Sequence, residues 1–254
     1  MPAGSLRCRS CATEYALEDI GTCSACFGPL DPVYDWEALA RSVSRETIAA
    51  GPASVWRYAP LLPVEAPDEP RLAPGLTPLI SARRLAAEVG VRELWLKLDT
   101  ANPTHSFKDR VVAVAAQKAR ELGLETLACS STGNLANAVA ARAAAEGMEA
   151  AVFCPADLEP EKLVATAVFG ATIYAVRGTY DDCSRLTVEL SFELPWAFVN
   201  VGLAPTTRRA RRPSHSRSPS SSAGTSPTRS WPRSPRALST RRSPRDSTSS
   251  ATSG

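Results

Sequence analysis

The run Asn102-Pro103-Thr104-His105-Ser106-Phe107-Lys108-Asp109-Arg110 puts an amine where it can do chemistry. Before it, residues 94–98 (Leu-Trp-Leu-Lys-Leu) read as a strand. After it, Val111, Val112, Ala115, Ala116, Ala119 and Leu122 recur at helical spacing. Asn-Pro-Thr is turn chemistry, and Ser106 or Thr104 is placed to cap the helix. Lys108 is therefore expected in the first turn of a helix, just past a strand. Backbone N–H groups there favour anions, and a lysine held among apolar groups works as a neutral amine. Such an amine forms a Schiff base with an aldehyde. Spacing alone leaves open an ordinary lysine reaching to water.

A second strand, turn and helix surrounds Ser130-Ser131-Thr132-Gly133-Asn134. Leu127, Ala128 and Cys129 precede it, and an alanine-rich helix follows to Gly147. Hydroxyls and backbone N–H groups at a helix start suit a carboxylate or a phosphate. Taken alone, the same residues also read as a strong helix cap. Cys8-Arg-Ser-Cys11 and Cys23-Ser-Ala-Cys26 form two C-x-x-C pairs, enough for one closed tetrahedral zinc site of structural type. Gly28-Pro29 supplies the turn after the second pair.

These groups need elements to position them. Residues 35–50 read as one short helix, and a proline-rich connector to Pro74 reads as a strap along the surface. Thr77 begins the main body, and Ser81 is placed to cap a helix closed by Gly90. Strands at 150–153, 172–176 and 196–201 alternate with helices at 161–169 and 181–190. That alternation predicts an α/β fold with an open, mostly parallel sheet. The expected organisation is a zinc-ribbon-like knuckle at 1–34, a helix and strap at 35–76, a catalytic body at 77–204 and a tail at 205–254.

The chain has 254 residues and a formal charge of +3. From Pro205 onward there are eleven arginines and one acid, Asp246, a balance of 11 − 1 = +10, so residues 1–204 carry 3 − 10 = −7. The basic character therefore belongs to the Ser, Arg, Pro and Thr tail, which holds too few apolar residues for a core and is expected to be disordered. No apolar run approaches the roughly 18 residues of a membrane span, and no signal peptide opens the chain. A reducing, cytoplasmic compartment is expected, and seven cysteines suit it if four bind metal.

The lysine run, the 130–134 run, Phe153-Cys154-Pro155-Ala156-Asp157-Leu158 and Trp196-Ala197-Phe198-Val199-Asn200 occur in the order that resembles threonine synthases. These are pyridoxal-phosphate enzymes of the second fold type, tryptophan-synthase-β-like, and some carry an N-terminal zinc ribbon. The resemblance runs to about Leu203 and departs at His105, where many relatives have glycine. It implies pyridoxal 5'-phosphate on Lys108, Asn134 against the phenolic oxygen of its ring, and Ser131, Thr132 and Gly133 on the substrate carboxylate. It implies the conversion of O-phosphohomoserine and water to threonine and phosphate.

Moving the reading frame back one base at Thr206 permits Tyr-Tyr-Ala-Glu-Gly-Ser-Lys-Thr-Leu-Ala-Phe-Glu, which also resembles the family. A frameshift is expected, leaving the chain without its cofactor-phosphate loop and inactive as written. Competing readings are a threonine or serine dehydratase or a cysteate synthase. A non-catalytic zinc-ribbon protein with a nucleic-acid-binding tail is disfavoured, since only Trp231 in that tail can stack on a base. Oligomeric state is not legible.

Overall fold

The computed structural model describes residues 3–17, 23–26 and 28–200. The expected tail at 205–254 lies outside them. β1 (Ala3–Cys8), β2 (Glu14–Tyr15) and β3 (Leu30–Tyr34) make an antiparallel sheet in the order β2-β1-β3. Leu6, Cys8, Cys23 and Leu30 form a small core beneath it.

The helix expected over 35–50 is two helices, α1 (Trp36–Ser42) and α2 (Arg45–Ala50). Val43 ends the first in extended backbone. Ser44 and Thr47 then form a capping box that starts the second, a stronger local signal than the apolar spacing that runs across the break. The following segment is buried at its start, while residues 65–73 are mostly exposed, as a surface strap should be. Its 3-10 helix (Val55–Leu61) and the residues after it bury Val55, Trp56, Leu62 and Val64 against Val111, Ala113 and Val114. Each fully buried side chain of this size contributes roughly 1.5–3 kcal/mol, which outweighs what the prolines withhold in hydrogen bonds.

β4 (Leu79–Ser81) pairs antiparallel with β5 (Trp95–Lys97), and α3 (Arg83–Glu88) lies between them in sequence. Ser81 does not cap α3, because it is spent in the strand opposite Trp95. The strand before Lys108 therefore belongs to this two-stranded sheet, not to the parallel one.

The parallel sheet is built from β6 (Thr126–Ser130), β7 (Glu149–Pro155), β8 (Thr172–Val176) and β9 (Ala197–Phe198), in the order β8-β7-β6-β9. α4 (Lys108–Glu121), α5 (Asn134–Glu146), α6 (Pro160–Ala167) and α7 (Tyr180–Leu190) accompany it. α5 is nearly an alanine helix because its faces meet α4, β6 and β7 at once, and small side chains allow that approach. Val112, Leu127, Val139, Val152 and Val199 fill the core between these layers. Gly147 closes α5 at φ 72°, a left-handed cap natural to glycine. Among the described residues no helix is long and apolar enough to cross a membrane.

Candidate functional site

In an open parallel sheet, ligands bind beyond the carboxyl ends of the strands, where the strand order reverses. Here the chain steps outward from β6 to β7 and β8, then returns to the other side of β6 as β9. The reversal therefore lies between β6, which ends at Ser130, and β9, which leads to Asn200. Two of the runs singled out in the sequence meet at this point.

Lys108 is tied to this region through α4. α4 and α5 pack side by side, and Arg120 near the end of α4 bridges Glu146 at the end of α5 at 2.9 Å. Lys108 opens the first helix and Asn134 opens the second. Their pairing comes from packing, and no spacing in the sequence states it.

The turn before Lys108 is braced from both sides. Thr104 donates to Asp109 through its N–H and its hydroxyl, both at 2.8 Å. Ser106 accepts the Lys108 N–H at 3.2 Å, so the hydroxyl expected as a cap acts one residue short of the usual position. Asn102, 3% exposed, accepts the Gly75 N–H and donates to the Asp99 carbonyl. His105 sits at φ 59°, a conformation glycine adopts freely, with Nδ1 at 2.9 Å from the Thr100 carbonyl. The Lys108 ammonium lies 5.0 Å from the centre of the Phe107 ring, a cation–π contact.

Sequence reasoning missed the clamp beneath this turn. Arg110, 3% exposed, donates to both carboxylate oxygens of Asp99, at 3.0 and 2.5 Å, and to the Thr77 hydroxyl at 3.3 Å. The Arg110 guanidinium, opposed in part by burial, holds the Asp99 carboxyl below the usual carboxylate range. Lys97 donates to the Thr77 carbonyl and hydroxyl. The signal in the sequence was an arginine directly before the apolar pair Val111 and Val112.

The 130–134 run turns sharply after β6. The Ser131 N–H donates to the Phe153 carbonyl at 3.1 Å, and the Gly133 N–H to the Ser131 hydroxyl at 3.3 Å. Among the described residues no side chain caps α5. The strong-cap alternative for this run therefore fails, and a methyl on Gly133 would meet nothing within 4 Å. The uncapped first N–H groups of α5 suit a carboxylate.

The four N-terminal cysteines form a second site. Their Sγ atoms all lie within 4.8 Å of one another. Tetrahedral zinc thiolates with bonds of about 2.3 Å put sulfurs roughly 3.8 Å apart, so the cluster fits that ion. The Ser10 N–H donates to Cys8 Sγ at 3.4 Å. The Tyr15 hydroxyl, 2.9 Å away, is the main reason the Cys23 thiol falls to about 6. The Gly28 N–H favours the Cys26 thiolate, yet the neighbouring sulfurs of Cys11 and Cys8 push that thiol up to about 12. Crowded sulfurs of opposed acidity are what a divalent cation relieves. A Cβ on Gly28 would sit 3.0 Å from Cys8 Sγ and 3.1 Å from Cys26 Sγ, so that position is glycine for lack of room.

Comparison with known proteins agrees with this geometry. A family model described as "Pyridoxal-phosphate dependent enzyme" matches residues 70–211. The chain is 41% identical over 184 residues to the threonine synthase of Methanosarcina acetivorans, covering 71% of this chain and 44% of that protein. It is 37% identical over 191 residues to the threonine synthase of Methanocaldococcus jannaschii, covering 74% and 47%. The chain thus spans less than half the length of these curated relatives.

Proposed function

Since this chain belongs to the family of pyridoxal-phosphate dependent enzymes, we propose that it carries the lysine and carboxylate-binding parts of a threonine-synthase site, for conversion of O-phosphohomoserine and water to threonine and phosphate, and is inactive as written because the frameshift at Thr206 removes the cofactor-phosphate loop. The observation that carries the reading is the 130–134 loop at the point where the strand order reverses, opening a helix that packs on the one Lys108 opens. An amine and a carboxylate-binding loop at one crevice match an α-amino acid substrate, and the relatives are threonine synthases.

In this reading Lys108 holds the cofactor, and Asn134 donates to the phenolic oxygen of its ring. The bound cofactor supplies an electron sink for charge at the carbon bearing the amino group. Ser131, Thr132 and Gly133 receive the substrate carboxylate on hydroxyls and the open N–H groups at the start of α5, which orients the Cα–H bond. The amine of Lys108 would take one proton from each of Cα and Cβ and return one each to Cγ and Cα. The bracing by Asp109 and Ser106 holds its helix turn while this happens. Phosphate leaves from Cγ, and water adds at Cβ. Threonine and serine dehydratases and cysteate synthase act on the same kind of crevice, and the threonine synthase names of the relatives favour the first reading.

Zinc in the four-cysteine site is assigned a structural part, because four thiolates fill a tetrahedral shell and leave no position for substrate. Seven cysteines without a disulfide suit a reducing, cytoplasmic setting.

The test uses the four lysines of the chain, 97, 108, 118 and 162. Incubation of the chain encoded one base back from the Thr206 codon with pyridoxal phosphate, borohydride reduction and peptide mapping should place the cofactor on Lys108, and Lys108→Ala should remove it. Stable labelling of another lysine in place of Lys108 overturns the assignment.

A further inference from the structure

We propose that Asn200, together with Thr187, Ser184 and Tyr180 of α7, forms a positioning network that fixes the start of the 131–133 loop. The inference rests on the carboxylate role given to that loop above.

Besides the β7 strand, whose Phe153 carbonyl accepts the Ser131 N–H, the loop root is held by Asn200 and by α7. The Ser130 N–H donates to Asn200 Oδ1 at 3.2 Å. The Ser130 hydroxyl lies 3.2 Å from the Ser184 hydroxyl, and the Ser130 carbonyl accepts from the Tyr180 hydroxyl at 3.3 Å. Asn200 Nδ2 donates to Thr187 Oγ1 at 3.0 Å, and that hydroxyl donates to the Ser184 carbonyl at 2.9 Å. Tyr180, Ser184 and Thr187 are spaced i, i+4 and i+7, one face of α7 turned to the sheet. Thr187 is wholly buried, Ser130 is 4% exposed and Asn200 is 7% exposed.

An ordinary helix would bury apolar residues on such a face. Buried polar groups cost stability unless each finds a partner, and here each does. The strand register shows what the network is for. Val199 N–H bonds the Ala128 carbonyl at 2.7 Å, so the parallel ladder between β6 and β9 reaches that point. Were the ladder to continue, Ser130 N–H would bond a main-chain carbonyl of the returning strand. A side-chain amide takes that place instead. The two strands can then part at the reversal of strand order, which opens a crevice, while Ser130 stays fixed. Ser131, Thr132 and Gly133 hang directly from Ser130, so a shift there moves every N–H group offered to a carboxylate.

Asn200 and Thr187 are proposed as positioning residues, acting on the loop through Ser130. The experiment follows amide exchange and amide shifts by NMR on the full chain, with L-threonine as the carboxylate probe. Thr187→Val keeps the shape and removes the hydroxyl, whereas Thr187→Ser keeps the hydroxyl. Loss of one buried hydrogen bond should speed exchange of the Ser130 N–H by about tenfold. Thr187→Val and Asn200→Ala should each show that acceleration, confined to residues 130–133, and should weaken the Gly133 shift response to L-threonine. Thr187→Ser should restore both. Exchange that is unchanged in Thr187→Val, or that rises equally through β6 and β7, overturns the network as a positioning device. Parent protein that shows the local exchange effect yet gives no Gly133 response keeps the positioning and refutes the carboxylate reading of the loop.

Discussion

The lysine turn should depend on the ion pair beneath it. Arg110 is almost fully buried and holds Asp99 through two hydrogen bonds, while the Asp99 side chain keeps 29% exposure. Removing one partner of a buried pair strands the other charge, a loss on the order of 3–5 kcal/mol where burial is complete. Water reaches the Asp99 side of this pair, so Asp99→Ala should fall at the low end, about 3 kcal/mol. Asp99→Asn keeps one acceptor and should cost about 2 kcal/mol. Urea unfolding reads both, as a lower midpoint with an unchanged slope. The pH dependence has a definite sign. The folded-state carboxyl titrates below its unfolded value, so its contribution is present above the ordinary aspartate range near pH ~4 and is lost as pH falls through the folded value. Asp99→Asn should erase that part of the acid sensitivity. A loss below about 0.5 kcal/mol in Asp99→Ala, the level of an ordinary surface substitution, would refute the argument that Arg110 needs this partner.

Metal analysis of purified protein should find about one zinc per chain, and Cys8→Ser or Cys26→Ser should release it; metal-free protein with unchanged stability speaks against the site. Gly28→Ala should weaken zinc binding by roughly 10–100-fold, measured by competition with a chelator, because the added methyl meets Cys8 Sγ, Cys26 Sγ and Ser10 Oγ. Gly147→Ala should cost about 1 kcal/mol in thermal or urea unfolding, since the cap must stay left-handed. A chain encoded one base back from the Thr206 codon should bind pyridoxal phosphate more tightly than the present chain, read by the absorbance of the adduct. Equal binding by both removes the case for a frameshift.

Local signals were legible in the sequence because each lies within a few residues of its partner. The Lys108 turn, the 130–134 turn, the C-x-x-C pairs and the strand–helix alternation all survive in the structure, with boundaries shifted by a residue or two. Chemistry of this kind depends on residue type and short spacing, which a one-dimensional pattern carries. Some local readings were overridden. Ser81 was claimed by a strand pairing with Trp95, and the single helix expected over 35–50 was broken by the Ser44–Thr47 capping box. What only the tertiary structure decided was long-range. The return of β9 beside β6 creates the reversal of strand order, and α4, which Lys108 opens, packs on α5, which Asn134 opens. Asn200 meets Ser130 across 70 residues, and Arg110 meets Thr77 across 33. Those contacts follow from the order in which strands and helices stack. That order is chosen by the total apolar surface buried across the whole fold, a sum that no short stretch of residues contains.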